Sequence, residues 1–545
     1  MVNTPSPKSA DSAADRQPVA SPRSPLAIPN YRLLYLGAVS TSMAYTMQSA
    51  MAGWLMTHLS ASSLLLGLVQ ASSTLPFLLF GLISGSISDL LSRRHILVMT
   101  HLVMGMATAA VAVMSWSGWL APWSLVLCTM LCGLGYTFYQ PAQQASINGL
   151  IPRVLLPKAI ALGSIAFNAA RSVGPALAGL ISAALGEGPA VLVSALFFVP
   201  MLPSAWRALR SQPEERPGRD EPLRAALMSG LSYSCHARVA RAALIMNFCF
   251  CFCAAALWAM FPLVAQQRLG LAAGGYGFLY STFGLGAVVS ALGLPHLLSQ
   301  GQDTGCVVRL ASGLWCLAVV ILGLARWIPM AVLGTFMGGM AWVGVLASLS
   351  TVAQSIAPDW VRARAVANNQ IPVQAGLALG SLFWGAVVSR LGLQSALILS
   401  GSLLAVAAVA SLRLSIRLGH ATDVTPDPSP GDMFAGQGIC HDAQKPSTGL
   451  AFRFCYCPMP DRLRDFMPAM DALRESRRRN GAVRWRLQPD PEKEGVWQET
   501  FELPSLVHWQ RFIARMMQAD RIVWERVRSL QVPDCQAGGA GARGG

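Results

Sequence analysis

Residues with chemical capacity first gather where two apolar runs meet. The stretch reads Gly85-Ser86-Ile87-Ser88-Asp89-Leu90-Leu91-Ser92-Arg93-Arg94. A carboxylate beside two guanidiniums at a membrane edge is costly to leave unpaired. Asp89 can pair with Arg93 or Arg94, or sit at the positive end of a neighbouring helix. Gly85 permits close helix approach. Such a cluster suits a conformational switch that locks two helix bundles in one state and releases them in another.

A second group lies inside an apolar run. Arg171 stands one helical turn before Pro175, with Asn168 nearly on the same face. A cation at such depth is expensive and is usually functional or paired. Arg171 therefore either meets an anionic or zwitterionic substrate, or snorkels, pairs across the bundle or bonds backbone carbonyls freed by the proline. Gly174, Pro175 and Gly179 form a kink-and-packing motif around it. Gln48, Tyr136, Tyr139, Gln140, Asn247, Asn368 and Gln374 are further polar candidates for one central cavity, although membrane amides also bind helices together. The acidic residues Asp89, Glu187, Asp303 and Asp359 fall at loops or helix ends, and His58 and His101 are expected near helix ends too. A proton relay is thus not visible in the residues. There is no Gly-x4-Gly-Lys-Ser/Thr nucleotide loop, no catalytic spacing of Ser, His and carboxylates, and no metal-ligand spacing among the twelve cysteines.

These residues are carried by a chain of 545 residues that is 53% apolar and 12% charged. Soluble proteins carry about 25% charge, so this is membrane composition. Helices are expected at 32–57, 64–88, 95–117, 121–144, 158–184 and 188–206, then at 242–267, 273–299, 305–326, 329–354, 364–390 and 394–416. Fourteen Lys and Arg fall in the even-numbered and central loops against three in the odd-numbered ones. That bias places both termini in the cytoplasm of an inner (plasma) membrane protein. It also explains the net charge of +15 without nucleic acid. Pro152, Ala159, Gly174, Gly179 and Gly186 recur 206 residues later as Pro358, Ala365, Gly380, Gly385 and Gly392, as in two parallel six-helix halves with a binding site between them.

The domain reading is a disordered cytoplasmic tail (1–29), a six-helix half (30–206), a cytoplasmic central loop (207–241), a second half (242–417), a Pro-, Gly- and Asp-rich linker (418–448), a small soluble domain (449–533) and a disordered tail (534–545). In the soluble part, strands are expected at Ala451 to Cys457, Val483 to Leu487 and Val496 to Leu503. Helices are expected at Asp461 to Arg479 and, as one long element, at Leu506 to Leu530. The β-α-β-β-α order suggests a ferredoxin-like unit with one strand missing. The fold class is thus an all-α membrane protein of twelve transmembrane helices in two halves, plus a small α+β domain.

Gly85, Asp89, Arg93 and Arg94 resemble the signature loop of the major facilitator superfamily, although Leu90 and Ser92 depart from it. Gly174-Pro175 with Gly179 resembles that superfamily's helix-5 antiporter motif. Pro141 to Gly179 and Gln354 to Gly385 resemble the exporter subgroup that includes the enterobactin exporter and transmembrane secretion effectors. Glu499-Thr500-Phe501, Ser505, His508, Arg515 and Asp520 resemble an appendage similar to dimeric α/β-barrel monooxygenases. The resemblance implies a secondary active exporter of small amphipathic molecules, a drug or siderophore-like metabolite, working by alternating access in the lipid bilayer. It further implies proton coupling, no cofactor, and pairing of the C-terminal domain with a second copy. The alternatives are an importer or facilitator of similar solutes, and a membrane-tethered regulatory or enzymatic protein acting through its tail.

Overall fold

The computed structural model describes residues 24–210, 233–299, 303–355, 357–358, 362–411, 425–434, 450–491 and 493–532. The expected tails up to residue 23 and beyond 532 lie outside the described residues, as do 211–232 of the central loop, Asp359, the end of the second half at 412–417, and 418–424 and 435–448 of the linker.

The first half holds α1 (Pro29–Leu59), α2 (Ser63–Leu90), α3 (Arg93–Trp116), α4 (Pro122–Leu150), α5 (Leu156–Leu185), α6 (Glu187–Leu196) and α7 (Met201–Ala208). The second holds α8 (Arg238–Leu263), α9 (Ala273–Ser299), α10 (Thr304–Leu324), α11 (Ile328–Ser355), α12 (Arg362–Leu391) and α13 (Leu393–Ala410). The expected sixth helix is two pieces, because Pro200 disfavours helical backbone at the residue before it and α7 restarts at Met201. Among the described residues, nine helical segments are long and apolar enough to cross a membrane. The long helices α1, α4 and α5, of 31, 29 and 30 residues, are not among them. They are the helices that bring polar side chains to the centre of the bundle.

The internal repeat has a geometric counterpart. Gly186 and Gly392 both stand at a helix junction with φ 94°, ψ 172° and φ 81°, ψ 163°, a region open to glycine at little cost. The recurring helix glycines also make matching contacts. A Cβ on Gly179 of α5 would lie 2.5 Å from the Ala273 carbonyl oxygen of α9, and one on Gly385 of α12 would lie 2.9 Å from that of Ser63 on α2.

Those contacts join the two halves at the end far from the chain termini. Ser63 Oγ donates to the Gly385 carbonyl at 2.9 Å, and Ser281 Oγ on α9 donates to that of Ser172 on α5 at 2.8 Å. A Cβ on Gly67 would stand 2.3 Å from the Ser381 carbonyl oxygen, and one on Gly277 2.5 Å from that of Pro175. The opposite end carries the start of α1 and the end of α13. There, Cβ atoms on Gly163 and Gly293 would meet nothing within 4 Å. Among the described residues, the close contacts between the halves lie far from the chain termini, and Gly163 and Gly293 near the termini have open space beside them.

The C-terminal domain contains β1 (Leu450–Tyr456), α14 (Leu463–Arg479), β2 (Val483–Pro489), β3 (Trp497–Leu503), α15 (Leu506–Ala514) and α16 (Gln518–Ser529). Its antiparallel sheet has the order β1-β3-β2. Two expectations are corrected. The single long helix breaks between α15 and α16, where the main chain is used by another segment: Asp427 N–H donates to the Met516 carbonyl and Gln518 N–H to that of Thr425. That segment, residues 425–434, belongs to the domain although its composition reads as linker. Met433 is buried in the domain core and Phe434 packs edge-on against Trp509, 5.1 Å between centroids. Arg521 clasps Asp427 with Nε to Oδ2 at 2.9 Å and Nη2 to Oδ1 at 2.7 Å. Burial would raise the Asp427 carboxyl, but the hydrogen bonds and charge of Arg521 hold it below its ordinary range.

Candidate functional site

Arg171 lies on α5 where both halves converge, partly exposed. Its guanidinium carbon stands 4.9 Å from the Phe167 ring centroid, 5.6 Å from Trp258 on α8 and 5.8 Å from Trp342 on α11. The phenols of Tyr45 on α1, Tyr136 on α4 and Tyr280 on α9 are its electrostatic neighbours. No carboxylate pairs with it among the described residues. Nor does it bond the carbonyls around Pro175, which removes the backbone alternative in this conformation. The rings form two groups, one on the first half and one on the second. Tyr45 stacks on Tyr136 at 4.0 Å, Trp258 meets Trp342 at 5.1 Å and Tyr280 at 5.7 Å, and Tyr139 lies 5.7 Å from Tyr136. The Trp258 indole nitrogen is buried without a hydrogen-bond partner.

The other candidates divide. Gln140 lies beside Tyr136. Gln48 is buried on α1, one turn from Tyr45, and Gln374 is partly exposed on α12. Asn168 turns back on its own helix, its Nδ2 donating to the Ser164 carbonyl at 2.9 Å. Asn247 and Asn368 are helix ties and do not join the central group. Asn247 Nδ2 donates to Asn369 Oδ1 at 2.7 Å, and Asn368 Nδ2 to Ser234 Oγ at 3.1 Å, all buried. Sequence reasoning missed Tyr45, Phe167, Trp258, Tyr280 and Trp342, since an aromatic in an apolar run reads as core. One signal was present: the 206-residue offset maps Tyr136 onto Trp342.

Gly174, Pro175 and Gly179 sit at the contact between halves. A Cβ on Gly174 would meet Thr46 Oγ1 of α1 at 2.3 Å, and Thr46 Oγ1 donates to the Ala170 carbonyl at 3.0 Å. The Pro175 and Gly179 backbones face Gly277 and Ala273 of the other half.

In the loop cluster, Arg93 Nη1 donates to the Ala145 carbonyl of α4 at 3.2 Å, and the Arg94 guanidinium lies 3.0 Å over the Trp206 ring of α7. Asp89 closes the last turn of α2, and its side chain lies outside the described residues. A Cβ on Gly85 would have open space in this conformation. His101 is not at a helix end. It is buried in α3, Nε2 bonded to Thr41 Oγ1 at 2.8 Å and Nδ1 to the Leu97 carbonyl at 2.7 Å. At the closed end, His58 Nδ1 and Glu187 Oε1 are 2.7 Å apart, and Trp54 Nε1 donates to the same oxygen at 3.2 Å. Trp54 in turn stacks on Tyr276 of the other half at 5.4 Å. In the C-terminal domain, His508 lies in the cap of α15, where its N–H donates to Ser505 Oγ.

Known proteins share this architecture. A staphyloferrin A transporter of Staphylococcus aureus is 26% identical over 27% of this chain and 38% of its own length. An uncharacterised transporter, y4rN, of Sinorhizobium fredii is 24% identical over 65% of this chain and 87% of its own. Among solved structures, the nucleoside transporter NupG superposes with TM-score 0.59 at 14% identity, over 71% of this chain and 99% of that one. A bacterial homolog of the human lysosomal transporter Spinster, inward-facing and unoccupied, superposes with TM-score 0.58 at 16% identity, over 72% and 98%. The family model described as transmembrane secretion effector matches residues 20–537. The chain therefore belongs to the transmembrane secretion effectors, membrane transporters of the major facilitator type.

Proposed function

We propose that this protein is a twelve-helix secondary active exporter of small amphipathic molecules, working by alternating access with both termini and the C-terminal domain in the cytoplasm. The observation that carries the reading is the close contact of the two halves at the end far from the chain termini, with a guanidinium that lacks a carboxylate partner among the described residues lying between them. In the proposed arrangement the opposite end is splayed, faces the cytoplasm and loads the substrate. The loop bearing Asp89, Arg93 and Arg94 changes partners as the halves rock, and Gly174, Pro175 and Gly179 let α5 slide against α9. Proton coupling and pairing of the C-terminal domain with a second copy complete the proposal. The largely exposed edge strand β2 supports that pairing. Sidedness has a direct test. A reporter fused after Gly419 should be active only on the cytoplasmic side, and activity only in the periplasm would overturn the orientation.

Function is tested by substrate-dependent efflux in a strain lacking its own exporters, with direction read in oriented vesicles. Net uptake in place of efflux would favour the importer reading. Truncation ahead of residue 425 separates transport from the tail: efflux that survives makes the domain accessory, and efflux that vanishes from a correctly inserted bundle gives the domain the active role.

A further inference from the structure

The transport reading leaves the substrate's chemistry open, and the central group narrows it. Its hydrogen-bonding capacity is one-sided. Arg171 brings guanidinium donors without a carboxylate partner among the described residues, and the Trp258 indole N–H lacks an acceptor. The two groups are neighbours, with 5.6 Å between the guanidinium carbon and the Trp258 ring centroid. A guanidinium in a membrane interior that lacks an anion is unusual and costly, and an unmatched buried donor costs the desolvation of its N–H. An incoming acceptor with negative charge would satisfy both. The remaining surfaces are flat and aromatic, with Phe167 and Trp342 beside the same guanidinium and Tyr136 stacked on Tyr45 behind it. Aromatic faces prefer offset or edge-on partners with ring geometry over aliphatic ones.

We infer that the central site takes a planar aromatic anion, such as an aryl carboxylate, its oxygens held by Arg171 and the Trp258 N–H and its ring packed among Phe167, Trp258 and Trp342. Arg171 and Phe167 belong to the first half, Trp258 and Trp342 to the second. One bound molecule therefore touches both moving parts, and its charge and its ring are read by different halves.

The experiment is equilibrium binding to the purified full-length protein in lipid nanodiscs. It uses 2-naphthoate, its neutral amide 2-naphthamide, and decahydro-2-naphthoate, which keeps the carboxylate and loses the aromatic ring. Naphthoate should bind more tightly than either comparison compound by about tenfold or more, the scale of one charge-assisted hydrogen bond or one strong aromatic contact. Trp258→Phe keeps a ring and deletes the N–H. It should weaken naphthoate several-fold while leaving naphthamide less affected. Arg171→Lys keeps the charge and should retain weakened binding, whereas Arg171→Gln should lose the preference for naphthoate over naphthamide. Equal affinity for the aromatic and saturated carboxylates would overturn the inference, as would absent naphthoate binding or an unchanged preference in a folded Arg171→Gln protein. The ligand series on the unaltered protein decides the matter even where a variant fails to fold. Binding with this selectivity but no efflux would refute the exporter reading and leave the site assignment standing.

Discussion

The closed end of the bundle rests on the absence of a single methyl group at Gly67. In Gly67→Ala, the new Cβ would lie 2.3 Å from the Ser381 carbonyl oxygen and 3.2 Å from its carbon. Ordinary contact begins near 3.4 Å, so α2 and α12 must part by about an ångström there, and the obstructing atoms are backbone with no rotamer to yield. Overpacking of this kind costs about 1–3 kcal/mol. The cost exists only while α2 and α12 touch, so it acts on one conformation and not on the alternative. A bias of that size moves the equilibrium roughly 5- to 150-fold. Pulsed spin-label distances between Ser62→Cys and Leu391→Cys, with the twelve native cysteines replaced by Ser, read the opening of this end directly. Gly67→Ala should add or enlarge a long-distance population. Gly293→Ala, whose Cβ meets nothing within 4 Å, should leave the distribution alone. An unchanged distribution in well-folded Gly67→Ala protein would refute the link between this contact and the closed state.

Asp89→Asn should reduce efflux partly while membrane expression stays normal, since Leu90 and Ser92 already depart from the family loop; undiminished flux at equal expression counts against a switch role. Glu187→Gln removes the negative charge that His58 and Trp54 share and keeps an amide oxygen that can still accept. Because the pair is 42% and 28% exposed, the change should loosen the closed end by only about 0–1 kcal/mol, and an opening larger than that of Gly67→Ala would contradict the reasoning. For the C-terminal domain, the lowered Asp427 carboxyl means that the unfolded chain binds more protons between the folded and unfolded values. The stability from the Asp427–Arg521 clasp is therefore present above about pH 4 and lost as pH falls through the folded value. Asp427→Asn should make segment 425–434 more accessible to protease at neutral pH and erase the acid-induced increase that the unaltered protein shows; an acid response of the same size in the variant would exclude this carboxyl as its source.

Much of the bundle was legible because apolar runs and their breaks report directly on a solvent with no water in it. The 206-residue offset foretold the matched junction glycines Gly186 and Gly392. Arg171 stood out by its cost. Its partners did not, because nothing local distinguishes Trp258 or Tyr280 from any core aromatic, and only the juxtaposition of six helices makes them a site. Asn247 and Asn368 failed as cavity residues for the converse reason: their hydrogen-bond partners, Asn369 and Ser234, lie 122 and 134 positions away. Segment 425–434 read as linker since Pro, Gly and Asp favour turns, whereas its place is fixed by Arg521, 94 residues on.

The missing counter-charge at Arg171 also has an electrical meaning. A carrier whose central charge is unbalanced moves that charge through the membrane field whenever its empty halves rock, whereas a carrier neutralised by a bound monoanion moves almost none. The full traverse is worth about 2.3 kcal/mol per charge per 100 mV. In the proposed orientation, with the splayed end on the negative side, voltage favours the empty protein in the conformation described here and hardly acts on one loaded with a monoanion. Under the proposed export of an anion, the return after release is then the step the resting potential favours, a contribution added to that of the proposed proton coupling.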